Sequence, residues 1–375
     1  MNLQVAQDLP PRVPSCSYPS MHNTNFPPMR NTRILQAAKS IPVDKVPVWV
    51  MRQAGRYLPE FLEVKKSYDF FTICTTPSLA CEVTLQPLRR FELDAAIIFS
   101  DILVVPQFMG MEVQMLPGKG PSFPSPLNTP SDISSLKIPD PSTAFEPYLD
   151  SIYLTRHSLQ GHVPLIGFTG GPFTLFTYMV EGGSSTAFTK SRKWIFAYPE
   201  ATKQLLDQIT KVVCDFLLAQ ICAGAQILQV FESHGGLLGR SDFLEFIYPY
   251  LLKISQFLKE KMKEFPGLDV PLIVFAKDAG FVLEDLMKTE FDVVGLDWTI
   301  DLQGAKELAG KYGKAVQGNF DPALLYAEQG VIEKRAGEMV SLGGKQGYIA
   351  NLGHGIYPDC SPEHLGTFVN TVHSL

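Results

Sequence analysis

The sequence predicts an α/β fold, a single (β/α)8 barrel of the TIM type with a cleft at the carboxyl ends of its strands. Three observations predict it. Short apolar runs recur along the 375 residues, each run stops abruptly at glycine or a polar residue, and helical patterns fill the intervals. Runs that are apolar on both faces suit parallel strands covered on each side. One barrel can absorb a chain this long, and an open doubly wound sheet is the competing arrangement.

Taken in order, eight runs qualify as strands. They are 47–51 before Arg52, 95–99 before Ser100 and Asp101, 163–168 before Thr169, and 226–231 before Glu232, Ser233 and His234. Then come 271–276 before Lys277 and Asp278, 293–296 before Asp297, 315–316 before Gln317 to Asn319, and 348–352 before Gly353 and His354. Between them, Leu205, Leu206, Ile209, Val212, Val213, Phe216 and Leu217 repeat at the spacing of one helix face. Residues 241–265 and 304–311 read as helices in the same way. Asp321-Pro322 has the form of a helix start, with Asp as N-cap and Pro at the first helical position. Residues 1–30, rich in Pro, Ser and Asn, are expected to be a disordered tail ahead of a barrel domain over 31–375. Arg12, Arg30 and Arg33 against Asp8 leave an organelle-targeting reading of that tail open, but it lacks the apolar core of a secretory signal.

Composition excludes several classes. A chain with 45% hydrophobic residues can bury a large core, so disorder is ruled out for the bulk of it. Lys and Arg total 32 against 38 Asp and Glu, and that net charge of −6 argues against a nucleic-acid partner. A local arginine cluster can still hold an anionic small ligand. The most apolar stretch, 212–231, contains Asp215, Gln220, Gln226 and Gln229 and is too polar for a membrane span. The six cysteines show no C-x-x-C pair, and the seven histidines show no H-x-x-x-H pair. No zinc site or other metal site is expected, and a cytoplasmic, reducing compartment is. No Rossmann or P-loop pattern appears, so no cofactor is expected.

The strand ends concentrate chemistry that a barrel core does not need. They carry Arg52, Asp101, Ser233, His234, Lys277, Asp278, Asp297, Asn319 and His354, where active sites of such barrels lie. The stretch MRQAGRYLP over 51–59 sets Arg52 and Arg56 four apart around a glycine, and each guanidinium is a planar fork suited to carboxylate or phosphate. Surface ion pairs are the bland alternative for them. Asp101 is either an N-cap or a buried acceptor for a cationic or N–H-rich ligand, and the residues alone leave both open. Ser233 and His234 point to opposite faces of a strand, so they cannot pair as nucleophile and base, and His234 reads as structural. His354, between two glycines, reads equally as structural or functional.

At these residues the chain closely resembles the uroporphyrinogen decarboxylase family. The resemblance runs through PVWVMRQAGRYLPEF (47–61), FSDILVVP (99–106), PGKGP (117–121), YMVEG (178–182), FESH (231–234), FAKD (275–278), GLDW (295–298), QGN (317–319) and ANLGHG (350–355). It implies a cofactor-independent carboxy-lyase, usually a homodimer, that removes the four acetate carboxyls of uroporphyrinogen III to give coproporphyrinogen III in haem biosynthesis. By the same carry-over, Arg52, Ala54, Arg56, Lys65, Asp101, Tyr178, Ser233 and His354 would contact the substrate. Asp101, Arg52, Tyr178 and His354 would form the catalytic group, and Phe168 and Phe231 an apolar floor. Lys65 stands where the family often has arginine, which keeps the charge but not the fork. A corrinoid or thiol methyltransferase and a non-catalytic tetrapyrrole carrier are the competing functions.

Overall fold

Seven parallel strands form the main sheet of the computed structural model, which describes residues 3–7, 9, 26–116, 118–265 and 268–375. In chain order the strands are β1 (Ala96–Ile97), β2 (Gln114–Leu116), β3 (Gly120–Ser122), β4 (Leu165–Gly170), β5 (Ile227–Glu232), β6 (Leu272–Ala276), β7 (Val293–Gly295), β8 (Ala315–Gln317) and β9 (Tyr348–Ile349). The sheet runs β1-β4-β5-β6-β7-β8-β9, while β2 and β3 make a separate antiparallel hairpin. The turn of that hairpin falls on the PGKGP stretch, of which Pro117 lies outside the described residues.

The first expected strand, 47–51, fills the one remaining position of the ring, but not as a regular strand. Val48 makes a single parallel bridge to Ala350, Ala350 N–H donates to Pro47 O, and Asp94 N–H donates to Val48 O. The segment therefore joins β9 to β1 and closes the barrel. Side chains replace the missing ladder. Asp94 Oδ2 accepts from Val48 N–H at 2.8 Å, Gln53 Oε1 from Val50 N–H at 3.2 Å, and Asn351 Oδ1 from Met51 N–H at 3.0 Å. Backbone groups satisfied in this way need no neighbouring strand.

Inside the ring, Trp49, Ile97, Ile166, Ile227, Ile273, Val293, Ala315 and Ile349 contribute one side chain per position to the core. A second, larger core fills the space between sheet and helices. The interior is not wholly apolar. Trp49 Nε1 donates to Gln317 Oε1 at 2.8 Å, and Gln317 Nε2 donates to Gln229 Oε1 at 3.1 Å. Among the described residues, the amide nitrogens of Gln229 and Asn351 are buried there without hydrogen-bond partners.

The expected helix over 205–217 lies within the helix Pro199–Ala223, and that over 304–311 within Leu302–Lys311, capped by Asp301. Residues 241–265 are not one helix. They divide into Arg240–Phe246 and Tyr248–Lys263, because Pro249 lacks an N–H and fits only the first turn of a new helix. Asp321 caps a 3-10 turn over Pro322–Tyr326, accepting from Ala323 N–H. Where the tail is described, the expectation of disorder is corrected. Leu3 is buried, Arg89 Nε donates to Leu3 O at 2.8 Å, and Ala6 N–H donates to Ser158 Oγ at 2.9 Å. Arg30 N–H reaches Gly161 O. The rest of the tail lies outside the described residues.

Candidate active site

The cleft is built at the strand ends, beginning with the turn after residue 51. Arg52 is exposed and stands at φ 63°, in the left-handed region, which re-aims the chain out of the barrel wall. Gln53 is buried beneath it and locks the turn. Its Oε1 holds Val50 N–H, its Nε2 donates to Ala95 O at 3.1 Å, and its carbonyl accepts from Tyr57 Oη at 2.7 Å. Gly355 completes the mount from the other side of the ring. A Cβ at 355 would lie 2.4 Å from Arg52 Cδ, so only glycine lets the arginine stem pass there.

Asp101 follows β1. Its Oδ1 accepts from Leu103 N–H at 2.8 Å, ahead of the short helix Val104–Phe108. Its other oxygen has no hydrogen-bond partner among the described residues. Burial raises the Asp101 carboxyl above its ordinary pKa, opposed by the Leu103 N–H and by the charge of Arg52. Tyr178 lies in the helix Pro172–Glu181, which springs from β4. Its phenol is raised by burial, then by the nearby Asp101 charge, with Arg52 opposing. The hydroxyl therefore keeps its proton.

Two histidines border the cleft as neutral rings. Burial, then the charges of Arg52 and Lys277, push His354 down to about 4. Burial and Lys277 do the same to His234. His234 Nδ1 shares a 2.6 Å hydrogen bond with Thr177 Oγ1, and its ring lies 5.1 Å from that of Tyr178. Below them Glu232 is wholly buried at the end of β5. It accepts from Phe173 N–H at 3.2 Å and Thr174 N–H at 2.7 Å, tying β5 to the first turn of the Tyr178 helix, and burial raises its carboxyl to about 7.

Arg52 is thus within electrostatic reach of Asp101, Tyr178 and His354, and Asp101 is within reach of Tyr178. Ala54 and Ser233 are half-buried at the same end of the barrel. Phe168 and Phe231 meet edge to face, with ring centroids 5.7 Å apart, where β4 and β5 end. Arg56 is exposed, and Lys65 is exposed in the last turn of the helix Pro59–Ser67. Asp297 and Asn319, also at strand ends, hold loops instead. Asp297 accepts from Asp278 N–H and Thr299 N–H, while Asn319 Nδ2 donates to Asp297 O and Ile300 O. Among the described residues, no three of His, Cys, Asp and Glu group as a metal site, and no helix is long and apolar enough to cross a membrane.

Gln53, Glu232 and Gly355 were not singled out from sequence for these supporting roles. The one signal near them was glycine: Gly55 between the two arginines, and the pair that flanks His354.

The fold and these strand ends define a (β/α)8-barrel enzyme with a cation-rimmed cleft around one water-poor carboxylate. Residues 29–375 match the family model described as uroporphyrinogen decarboxylase (URO-D). The chain belongs to the uroporphyrinogen decarboxylase family. It is 54% identical over 353 residues to the uroporphyrinogen decarboxylase of Danio rerio, covering 93% of this chain and 95% of that protein. To the uroporphyrinogen decarboxylase of Homo sapiens it is 50% identical over 349 residues, with the same coverage. A solved methyltransferase from Methanosarcina mazei has the same fold, with a TM-score of 0.76 at 22% identity, covering 92% of this chain and 99% of that one.

Proposed function

We propose that the protein removes the four acetate carboxyls of uroporphyrinogen III, giving coproporphyrinogen III without metal or organic cofactor. The observation that carries this reading is Asp101, a carboxylate held by one oxygen, short of water and bordered by Arg52. Pyrrole N–H groups of the macrocycle converge on its free oxygen. Protonation of a pyrrole carbon beside the acetate makes that ring cationic. The bond to the carboxylate then breaks, CO2 leaves, and its electron pair neutralises the ring. The exocyclic carbon takes a proton and the ring carbon loses one, leaving a methyl group. Asp101 stabilises the cation as it forms, with no reorganisation needed at that moment.

Arg52 positions the reacting acetate, Tyr178 donates its hydroxyl, and Arg56, Lys65, Ala54 and Ser233 hold the remaining rim. His354 is neutral near pH 7, so it acts as a hydrogen-bonding wall and not as the acid. The protein works as a homodimer, as the resemblance implies, and in the cytoplasm. Cys74, Cys81, Cys214 and Cys360, buried and outside any disulfide, support a reducing compartment.

The test is anaerobic incubation with chemically reduced uroporphyrin in the presence of a chelator. Coproporphyrinogen should form. Asp101→Asn keeps the Leu103 hydrogen bond but loses the charge, and turnover should drop by about 10²-fold or more, while Asp101→Glu keeps part of it. Absence of product, or wild-type turnover in a folded Asn variant, would refute the assignment.

A further inference from the structure

On that reading, a substrate with carboxylates around its whole rim requires cations on more than one wall of the cleft. Arg52, Arg56 and Lys65 all follow the 47–51 segment, the first position of the ring. Counted around the closed ring from there, β6 is the fifth of eight positions and so stands opposite. The residue leaving β6 is Lys277.

Lys277 is firmly mounted. Its N–H donates to Glu232 O at 3.1 Å, and its carbonyl accepts from Gly236 N–H at 3.0 Å. The next residue, Asp278, stands at φ 57° and is kept there by Asp297 Oδ2, which accepts its backbone N–H at 2.8 Å. Gly236 leaves room for that turn, since a Cβ on it would lie 2.4 Å from Asp278 Cβ. The ammonium lies 5.5 Å from the centre of the Trp298 ring, and that ring is 6.4 Å from His354. Among the described residues its ion pair is with Asp278 alone, and the lysine side chain is 22% exposed against 49% for the aspartate. The lysine is therefore the more enclosed end of the pair, with its ammonium over the Trp298 ring, while the aspartate is half-exposed. A pair whose carboxylate is half-exposed gains little from its contact, so a second carboxylate can displace Asp278 at little cost. The depressed pKa values of His234 and His354 place the Lys277 charge within reach of both rings.

We propose that Lys277 binds a substrate carboxylate on the wall opposite Arg52, and that Asp278 is an internal carboxylate that the substrate displaces. Losing this anchor leaves the chemistry at Asp101 intact but loosens the macrocycle between successive decarboxylations.

Steady-state assays on reduced uroporphyrin, with seven-, six- and five-carboxylate intermediates separated by chromatography, test it. Lys277→Met should raise KM about ten-fold, keep kcat within about two-fold, and release more of the intermediates. Lys277→Arg should restore most of the wild-type behaviour, and Asp278→Asn should lower KM. Wild-type KM and product pattern in Lys277→Met would overturn the proposal. So would an unchanged or raised KM in Asp278→Asn, which marks the pair as a loop clamp, and this second variant decides alone if the first does not fold. A wild-type protein that leaves uroporphyrinogen unchanged would fail the parent reading instead.

Discussion

Gly355→Ala separates the position of Arg52 from its presence. The added Cβ would lie 2.4 Å from Arg52 Cδ and 2.7 Å from both Cγ and Nε. Carbon atoms are comfortable at about 3.5–4 Å, so the stem must retreat by more than about 1 Å. The backbone is poorly placed to give way, because Ile356 N–H is bonded to Met51 O at 3.0 Å and Gly355 itself is buried. The arginine can give way by changing rotamer, at a cost of about 1 kcal/mol. The loss in melting temperature should therefore be only about 1–2 °C. The catalytic loss should be larger, since misplacing a positioning group by about 1 Å can lower turnover about 10²-fold. Coproporphyrinogen formation under anaerobic conditions gives kcat and KM, and calorimetry gives the melting temperature. In an Arg52→Ala background the glycine substitution should have almost no further effect, because the group it displaces is already gone. Wild-type turnover in Gly355→Ala would refute the role given to the Arg52 guanidinium. A collapsed melting temperature would show instead that the backbone, not the side chain, absorbs the clash.

Glu232 keeps its proton in the folded protein to about pH 7, against 4.5 for an ordinary glutamate, so the folded state binds more protons between those values. Its stabilising contribution is complete below pH 4.5 and is lost as pH rises through 7, a slope worth at most about 3 kcal/mol. Glu232→Gln should remove that slope, so its melting temperature should improve relative to wild type from about pH 5 to about pH 8, and a pH-independent gap would contradict the buried, raised carboxyl. Sedimentation at micromolar concentration should give about twice the 41.6 kDa chain mass, and a fully active monomer would refute the homodimer.

Most of the barrel is readable in the sequence because buried parallel strands must be apolar on both faces, a pattern with few other uses. The 47–51 segment shows the limit. Its composition is that of a strand, yet Asp94, Gln53 and Asn351 take its backbone groups, and those partners come from positions 53, 94 and 351. The same limit hides the Trp49–Gln317–Gln229 chain, where three side chains from distant strands satisfy polar groups inside the ring. Residues 241–265 keep a helical period across a break, since periodicity reports the buried face and not backbone continuity.

For the site, residue types were readable but their ionisation was not. His354 could have been an acid by type; burial and two neighbouring cations make it neutral near pH 7. Asp101 could have been either an N-cap or a buried acceptor; it does not cap the helix Val104–Phe108, whose N-cap is Leu103, but accepts the Leu103 N–H from two residues back. Leu103 N–H takes one oxygen and thereby fixes the side-chain rotamer. A carboxylate fixed by one oxygen does not need to reorient when charge develops opposite the other. In water that charge would have to wait for solvent dipoles to turn, whereas here the dipole of the Asp101 environment is already set. On the proposed mechanism that bond is therefore part of the chemistry: without it, Asp101 is free to swing toward Arg52 and spend its charge on an ion pair instead of on the macrocycle.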